Sequence, residues 1–156
     1  MGLLRYVNIF KSIARKIKTF ILIDFDTKKM IISCIFITAI SRYSILNVEF
    51  KHLKDKLGKT GEETPYSEEL KNYNIAKKVS WIVTTVSRYT PWESKCLVQA
   101  MTAQKLLRKY NIKSTLYLGV RKSENELKAH AWLRCGEYFV TGGDGSRYKE
   151  VAKFSQ

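Results

Sequence analysis

Two runs of alternating apolar and polar residues, joined head to tail by tight turns, leave the last third of this chain little choice of fold. From Thr115 to Arg121, Leu116, Leu118 and Val120 alternate with Thr115, Tyr117 and Gly119, the period of two that a half-buried strand requires. A charged turn, Lys122-Ser123-Glu124-Asn125-Glu126, follows. The next run sets Leu127, Ala129, Ala131, Leu133 and Cys135 on one face and Lys128, His130, Trp132 and Arg134 on the other, because successive strand side chains point to opposite sides. Cys135-Gly136-Glu137 reads as a tight turn and Tyr138-Phe139-Val140 as the returning strand. An antiparallel sheet of this kind must bury its aliphatic face against another layer.

The preceding residues supply that layer as helices. From Glu68 to about Tyr89, Leu70, Tyr73, Ala76, Val79, Val83 and Val86 form one stripe, with Ser67 as its cap. A second helix carries Leu97, Ala100, Met101, Leu106 and Leu107 at helical spacing and stops at Tyr110-Asn111, before Ile112. Its start has two readings. Thr90-Pro91-Trp92-Glu93 fits a capping box with proline at the first helical position, and Ser94 is a second cap closer to Cys96. Either way Cys96 falls in the first or second turn, where unpaired amides and the positive end of the helix dipole stabilise a thiolate. The Cys96 amide is then available to an oxyanion.

His130 projects away from the aliphatic face of its strand, with Trp132 as a neighbouring wall. Pairing across the Gly136 turn brings Thr141 to Asp144 opposite the imidazole. A carboxylate there would fix the imidazole tautomer, as the third member of a catalytic triad does; Asp144 is the expected residue, and Glu137 is the other acid on the hairpin. Cysteine on a helix, histidine on a strand and a carboxylate on the next is the order shared by papain-like cysteine peptidases and transglutaminases. It implies an α+β chain: N-terminal helices followed by a reduced papain/transglutaminase-like domain, its Cys-bearing helix packed on a short antiparallel sheet.

Four segments resemble a narrower family. Cys96-Leu97-Val98-Gln99-Ala100, Ser114 to Val120, Lys128 to Gly136 and Val140-Thr141-Gly142-Gly143 together are similar to the transglutaminase-like leader peptidases of lasso-peptide biosynthesis, in the stand-alone form whose precursor-recognition domain is a separate small protein. The resemblance is dense from Pro91 to Phe154. It implies a cytoplasmic cysteine endopeptidase, using Cys96 as nucleophile and His130 as base, that cuts a ribosomally made precursor between leader and core. The freed core would pass to an ATP-dependent macrolactam cyclase, so the implied partners are the leader peptide, the recognition protein and the cyclase, in a pathway of antibiotic type. The family favours a threonine next to last in the leader, which implies a small pocket for it. The third position departs from a clean match, since Thr141-Gly142-Gly143 offers no carboxylate before Asp144.

Other chemistries find less support. The two histidines and three cysteines have no Cys-x-x-Cys or His-Glu-x-x-His spacing, so no metal is expected. No glycine-rich phosphate loop precedes a helix, and no cofactor is expected. An odd, unframed set of cysteines fits a reducing compartment better than disulfide stapling. Cys34, within Ile31 to Phe36, and Cys135, on the aliphatic face, read as core; His52 reads as a surface residue.

The N-terminal part is basic. Leu3, Val7, Phe10, Ala14, Ile17 and Ile21 form an apolar stripe among Arg5, Lys11, Arg15, Lys16 and Lys18, a basic amphipathic helix able to touch the inner membrane face. The apolar run from Met30 to Ile40 is short of the ~20 residues needed to span a bilayer, and burial in a helical subdomain is expected. The chain divides on this reading into a basic helical region, 1–60, and a catalytic region, 61–156, joined by a linker over 55–67. The formal net charge is +14, and residues 1–60 hold twelve basic against four acidic side chains. A surface of that sign attracts an anionic partner, such as an acidic leader, an acidic recognition protein or the membrane; no nucleic-acid motif accompanies it. Two rivals remain: a transglutaminase or amidase acting through the same three residues, and a peptide-binding scaffold without turnover.

Overall fold

In the computed structural model, which describes residues 23–123 and 126–156, four helices and a five-stranded antiparallel sheet follow one another as an α+β fold. The expected amphipathic helix over residues 3–21 lies outside the described residues. Helix α1 (Phe25–Asn47) starts where Asp24 caps it: Oδ1 accepts the Thr27 amide at 2.9 Å and Oδ2 the Thr27 hydroxyl at 2.6 Å. These bonds hold the Asp24 carboxyl below its ordinary pKa. Helix α2 (Phe50–Leu57) buries Leu53 and Leu57.

Helix α3 (Leu70–Ser87) buries Ala76, Val79, Ile82, Val83 and Val86, close to the expected stripe. It begins two residues later than expected, with Glu69 rather than Ser67 at the cap position and Leu70 exposed. Helix α4 (Cys96–Lys109) packs against α1, α3 and the sheet, and is buried nearly all round. Asn111 ends it at φ 55°. There the Ile112 amide returns to the Leu107 carbonyl at 3.1 Å and the Asn111 amide to Arg108 at 3.0 Å, a Schellman arrangement that asparagine tolerates. The sequence break at Tyr110-Asn111 has this cause.

The sheet runs β1-β5-β2-β3-β4, formed by β1 (Lys59–Thr60), β2 (Thr115–Ser123), β3 (Glu126–Cys135), β4 (Tyr138–Thr141) and β5 (Lys149–Ser155). The β2–β3 ladder extends from Thr115↔Arg134 to Ser123↔Glu126, so the strands run further into the charged turn than the sequence suggests. Leu116, Ala131, Leu133, Cys135, Val140 and Phe154 join the helices in the core. Beyond it the expected alternation fails in both directions: Leu127 is 72% exposed and Arg134 1%. Leu127 lies near the tip of the β2–β3 hairpin, exposed among the described residues, and the other face of the hairpin's base is covered by residues 63–66.

That cover changes the reading of residues 55–67. Gln104 donates to the Leu57 carbonyl, β1 pairs with β5, and the Thr64 amide donates to Thr115 Oγ1 at 2.9 Å. Arg134 donates to the Thr64 carbonyl at 2.9 Å and stacks 3.8 Å from the Tyr66 ring centroid. The glycines and charges that read as a linker belong to a segment bound into the sheet. The expected burial of the Met30–Ile40 run is also only half met. Met30, Cys34 and Ile37 are buried, whereas Ile32, Ile35, Phe36 and Ile40 face outward.

Candidate active site

Cys96 is the first residue of α4, and neither expected cap serves it. Lys95 occupies the cap position in extended conformation without a side-chain hydrogen bond. The Thr90 and Ser94 hydroxyls lie 2.9 Å apart, bonded to each other, and Thr90 Oγ1 also donates to the Trp92 carbonyl at 3.1 Å. The hydroxyl and proline signals therefore shape the approach loop instead of the first turn. Arg42 on α1 holds Glu93 at 3.0 Å, Lys95 also pairs with Glu93, and the two cations keep that carboxyl below its ordinary pKa, Lys95 more strongly. The Gln99 amide makes the first helical bond, to Lys95 at 3.0 Å, and Gln99 Nε2 donates to the Ser94 carbonyl at 2.8 Å. Ahead of Gln99, the amides of Cys96, Leu97 and Val98 are the first-turn donors that a helix cannot pair within itself.

The three thiols are all free and differ in access. Cys34 and Cys135 are buried, and burial pushes their pKa up to about 12 and about 11. Cys96 is half-buried at the helix tip. The expectation that Cys34 and Cys135 are core residues is met. His52 is exposed on α2.

His130 stands on β3, the strand against which α4 packs, on the face opposite Ala131 and Leu133. Its ring stacks on Tyr148 (centroids 4.7 Å apart, planes at 26°) and more distantly on Trp132 (6.1 Å, 20°). Trp132 is stacked in turn on Tyr117 at 5.4 Å. The Nε2 atom lies 2.7 Å from the Gly142 carbonyl oxygen. A carbonyl can only accept, so Nε2 carries the proton and Nδ1 keeps the lone pair of the neutral ring.

The β3–β4 ladder explains why a carbonyl stands there. It pairs Cys135 with Tyr138, Arg134 with Phe139 and Leu133 with Thr141, and goes no further. Gly142 then turns the chain at φ 78°, so close to β3 that a Cβ would lie 2.4 Å from the Ala131 carbonyl oxygen. Gly145, at φ 67°, would place a Cβ 2.4 Å from the Trp132 ring. Glycine at both positions lets the 142–148 turn close over Trp132 and deliver Tyr148 to His130.

Asp144, expected opposite the imidazole, is exposed in this turn. Its Oδ1 accepts the Ser146 amide at 3.0 Å, and that bond, with lesser help from the Ser146 side chain and Arg147, holds its pKa below the ordinary value. Glu137 lies in the turn beyond Cys135, which is itself about 16 Å along β3 from His130 at ~3.3 Å per residue; its amide donates to the Tyr73 hydroxyl at 3.1 Å. Sequence reasoning missed the Gly142 carbonyl and Tyr148. The glycines around Asp144 were the available signal that backbone, not side chain, approaches the histidine.

No group of three or more potential metal ligands occurs among the described residues. The family model of the transglutaminase-like superfamily matches residues 47–155, more than half of the chain. The chain therefore belongs to the transglutaminase-like superfamily, which includes cysteine peptidases and acyltransferases. No curated protein and no solved structure gives a significant match.

Proposed function

We propose that this protein is a cysteine endopeptidase that removes the leader from a ribosomally made lasso-peptide precursor. In this reading it works with a separate leader-recognition protein and upstream of an ATP-dependent macrolactam cyclase, in the cytoplasm. The observations that support the chemistry are a half-buried cysteine at the tip of α4 and, on the other face of the strand against which α4 packs, a histidine whose Nε2–H is tied to a carbonyl. The lasso-precursor substrate rests on the four-segment resemblance around Cys96, Val120, His130 and Gly143.

His130 Nδ1 takes the Cys96 proton, and the thiolate attacks the carbonyl of the last leader residue. The first-turn amides of α4 stabilise the oxyanion. His130 then gives the proton to the departing core amine, and water hydrolyses the thioester, releasing the leader acid and restoring the thiol. In this proposal Gly142 O holds the imidazole, and Asp144 acts one step back by bracing the turn that carries it. The recognition protein would raise the effective concentration of leader at the site.

Mass spectrometry of a lasso-type precursor, incubated with its recognition protein and either this chain or its Cys96→Ala variant, tests the reading. Cleavage at one leader–core bond, absent with the variant, supports a peptidase. Loss of ammonia or attachment of an amine would identify a transferase, and maturation undiminished by Cys96→Ala would identify a scaffold.

A further inference from the structure

We propose that the outward stripe of α1 is a docking face for the surface of an anionic lipid bilayer. The helix is apolar on both sides. Its inner side buries Met30, Cys34 and Ile37 together with Thr27, Thr38, Ser41 and Ser44, while Ile32, Phe36, Ile40, Tyr43 and Leu46 are each at least half exposed. Their spacing of four, four, three and three keeps them on one side, a strip about 21 Å long at 1.5 Å per residue. Between Ile31 and Leu46 the one ionic side chain is Arg42, which is turned to Glu93. A contiguous apolar strip of this kind marks an interaction surface.

The helix is long and apolar enough, by length and composition, to cross a membrane. Its other side, however, is packed against α3 and α4. The helix can therefore enter lipid only lengthwise, with the strip at the headgroup boundary, as interfacial helices do.

Charge selects the occupant. Lys28 and Lys29 stand at one end of the strip, balanced by Asp24 and Asp26, and at the other end α2 brings Lys51, Lys54 and Lys56 against Glu49, which pairs with Lys51, and Asp55, a net positive charge. In the sequence before α1, residues 1–22 hold Arg5, Lys11, Arg15, Lys16 and Lys18 and no acid. A second copy of a chain of net charge +14 would bring like charge to the same face, whereas anionic headgroups are attracted to basic residues beside an apolar strip. The inference is independent of the chemistry assigned to Cys96.

The test is co-sedimentation of the full chain with phosphatidylcholine vesicles, with and without one-third phosphatidylglycerol. Pelleting should need phosphatidylglycerol and weaken with salt. Phe36→Glu with Ile40→Glu should lower partitioning at least roughly tenfold, and Val151→Ser, at an exposed apolar site on β5, should leave it unchanged. A Phe36→Trp variant, whose fold the substitution spares, should show more quenching by brominated phosphatidylglycerol vesicles than the parent. Absence of pelleting, equal pelleting of the double Glu variant, no added quenching, or a lipid-indifferent dimer split by the double variant would each overturn the proposal.

Discussion

His130 Nε2 lies 2.7 Å from the carbonyl oxygen of Gly142. The orienting position beside the histidine is thus held by backbone. A backbone acceptor fixes tautomer and ring plane as a carboxylate does, but brings no full charge to stabilise an imidazolium. The stacked Tyr148 and Trp132 rings supply further restraint.

The distinction has a kinetic signature at Asp144. Its Oδ1 accepts the Ser146 amide, and asparagine can keep that bond. On the proposed function, Asp144→Asn should therefore leave turnover within about threefold, whereas loss of a directly bonded triad carboxylate costs about 10⁴. Gly142→Ala, which forces a Cβ against Ala131 O at φ 78°, should lower cleavage by tenfold or more and also lower the melting temperature. A collapse of turnover in Asp144→Asn with an unchanged melting temperature would put the carboxylate on His130.

The thiols should separate in reactivity. Brief iodoacetamide treatment of the folded chain near pH 7.5, followed by peptide mapping, should find the adduct at Cys96. Cys34 and Cys135, buried and pushed up to about 12 and about 11, should react at least roughly a hundredfold more slowly until denaturant is added.

What the sequence revealed follows from how local each signal is. The strands over 115–120 and 127–135, and the stripe through Ala76, Val79, Val83 and Val86, are properties of single elements, and the structure retains them, although the burial that the strand alternation implies fails at Leu127 and Arg134. The Ile112 boundary is likewise local. Arg134 was assigned to an outward face and is buried because Tyr66 and Thr64, about seventy positions earlier, cover it. The Gly142 carbonyl bears no side chain that sequence could flag, and Thr90 and Ser94 were legible as hydroxyls but not as partners of each other.

Arg134 should be costly to replace. Its guanidinium donates to the Tyr117 hydroxyl at 2.9 Å, the Gly136 carbonyl at 2.6 Å and the Thr64 carbonyl at 2.9 Å. Arg134→Met would leave those buried acceptors unmet, and urea unfolding should show a loss of about 2–4 kcal/mol. Arg134→Lys should recover less than half of it, because an ammonium cannot reproduce the planar fork.

Acid should loosen the same corner. Lys153 Nζ donates to Glu63 Oε1 at 2.9 Å, and this bond, assisted by Arg134, holds Glu63 below its ordinary value of 4.5. A carboxyl whose pKa is lower folded than unfolded adds stability that is fully present above the unfolded value and is lost as pH falls through the folded one. The melting temperature should therefore decline from about pH 4.5 downward, through the folded value of Glu63, with Glu93, Asp24 and Asp144 contributing in the same sense. Glu63→Gln removes this proton linkage while keeping an acceptor for Lys153. Scanning calorimetry from pH 6 to pH 3 should give a shallower decline for Glu63→Gln than for the parent; parallel curves would show that the Glu63–Lys153 contact adds nothing to folding.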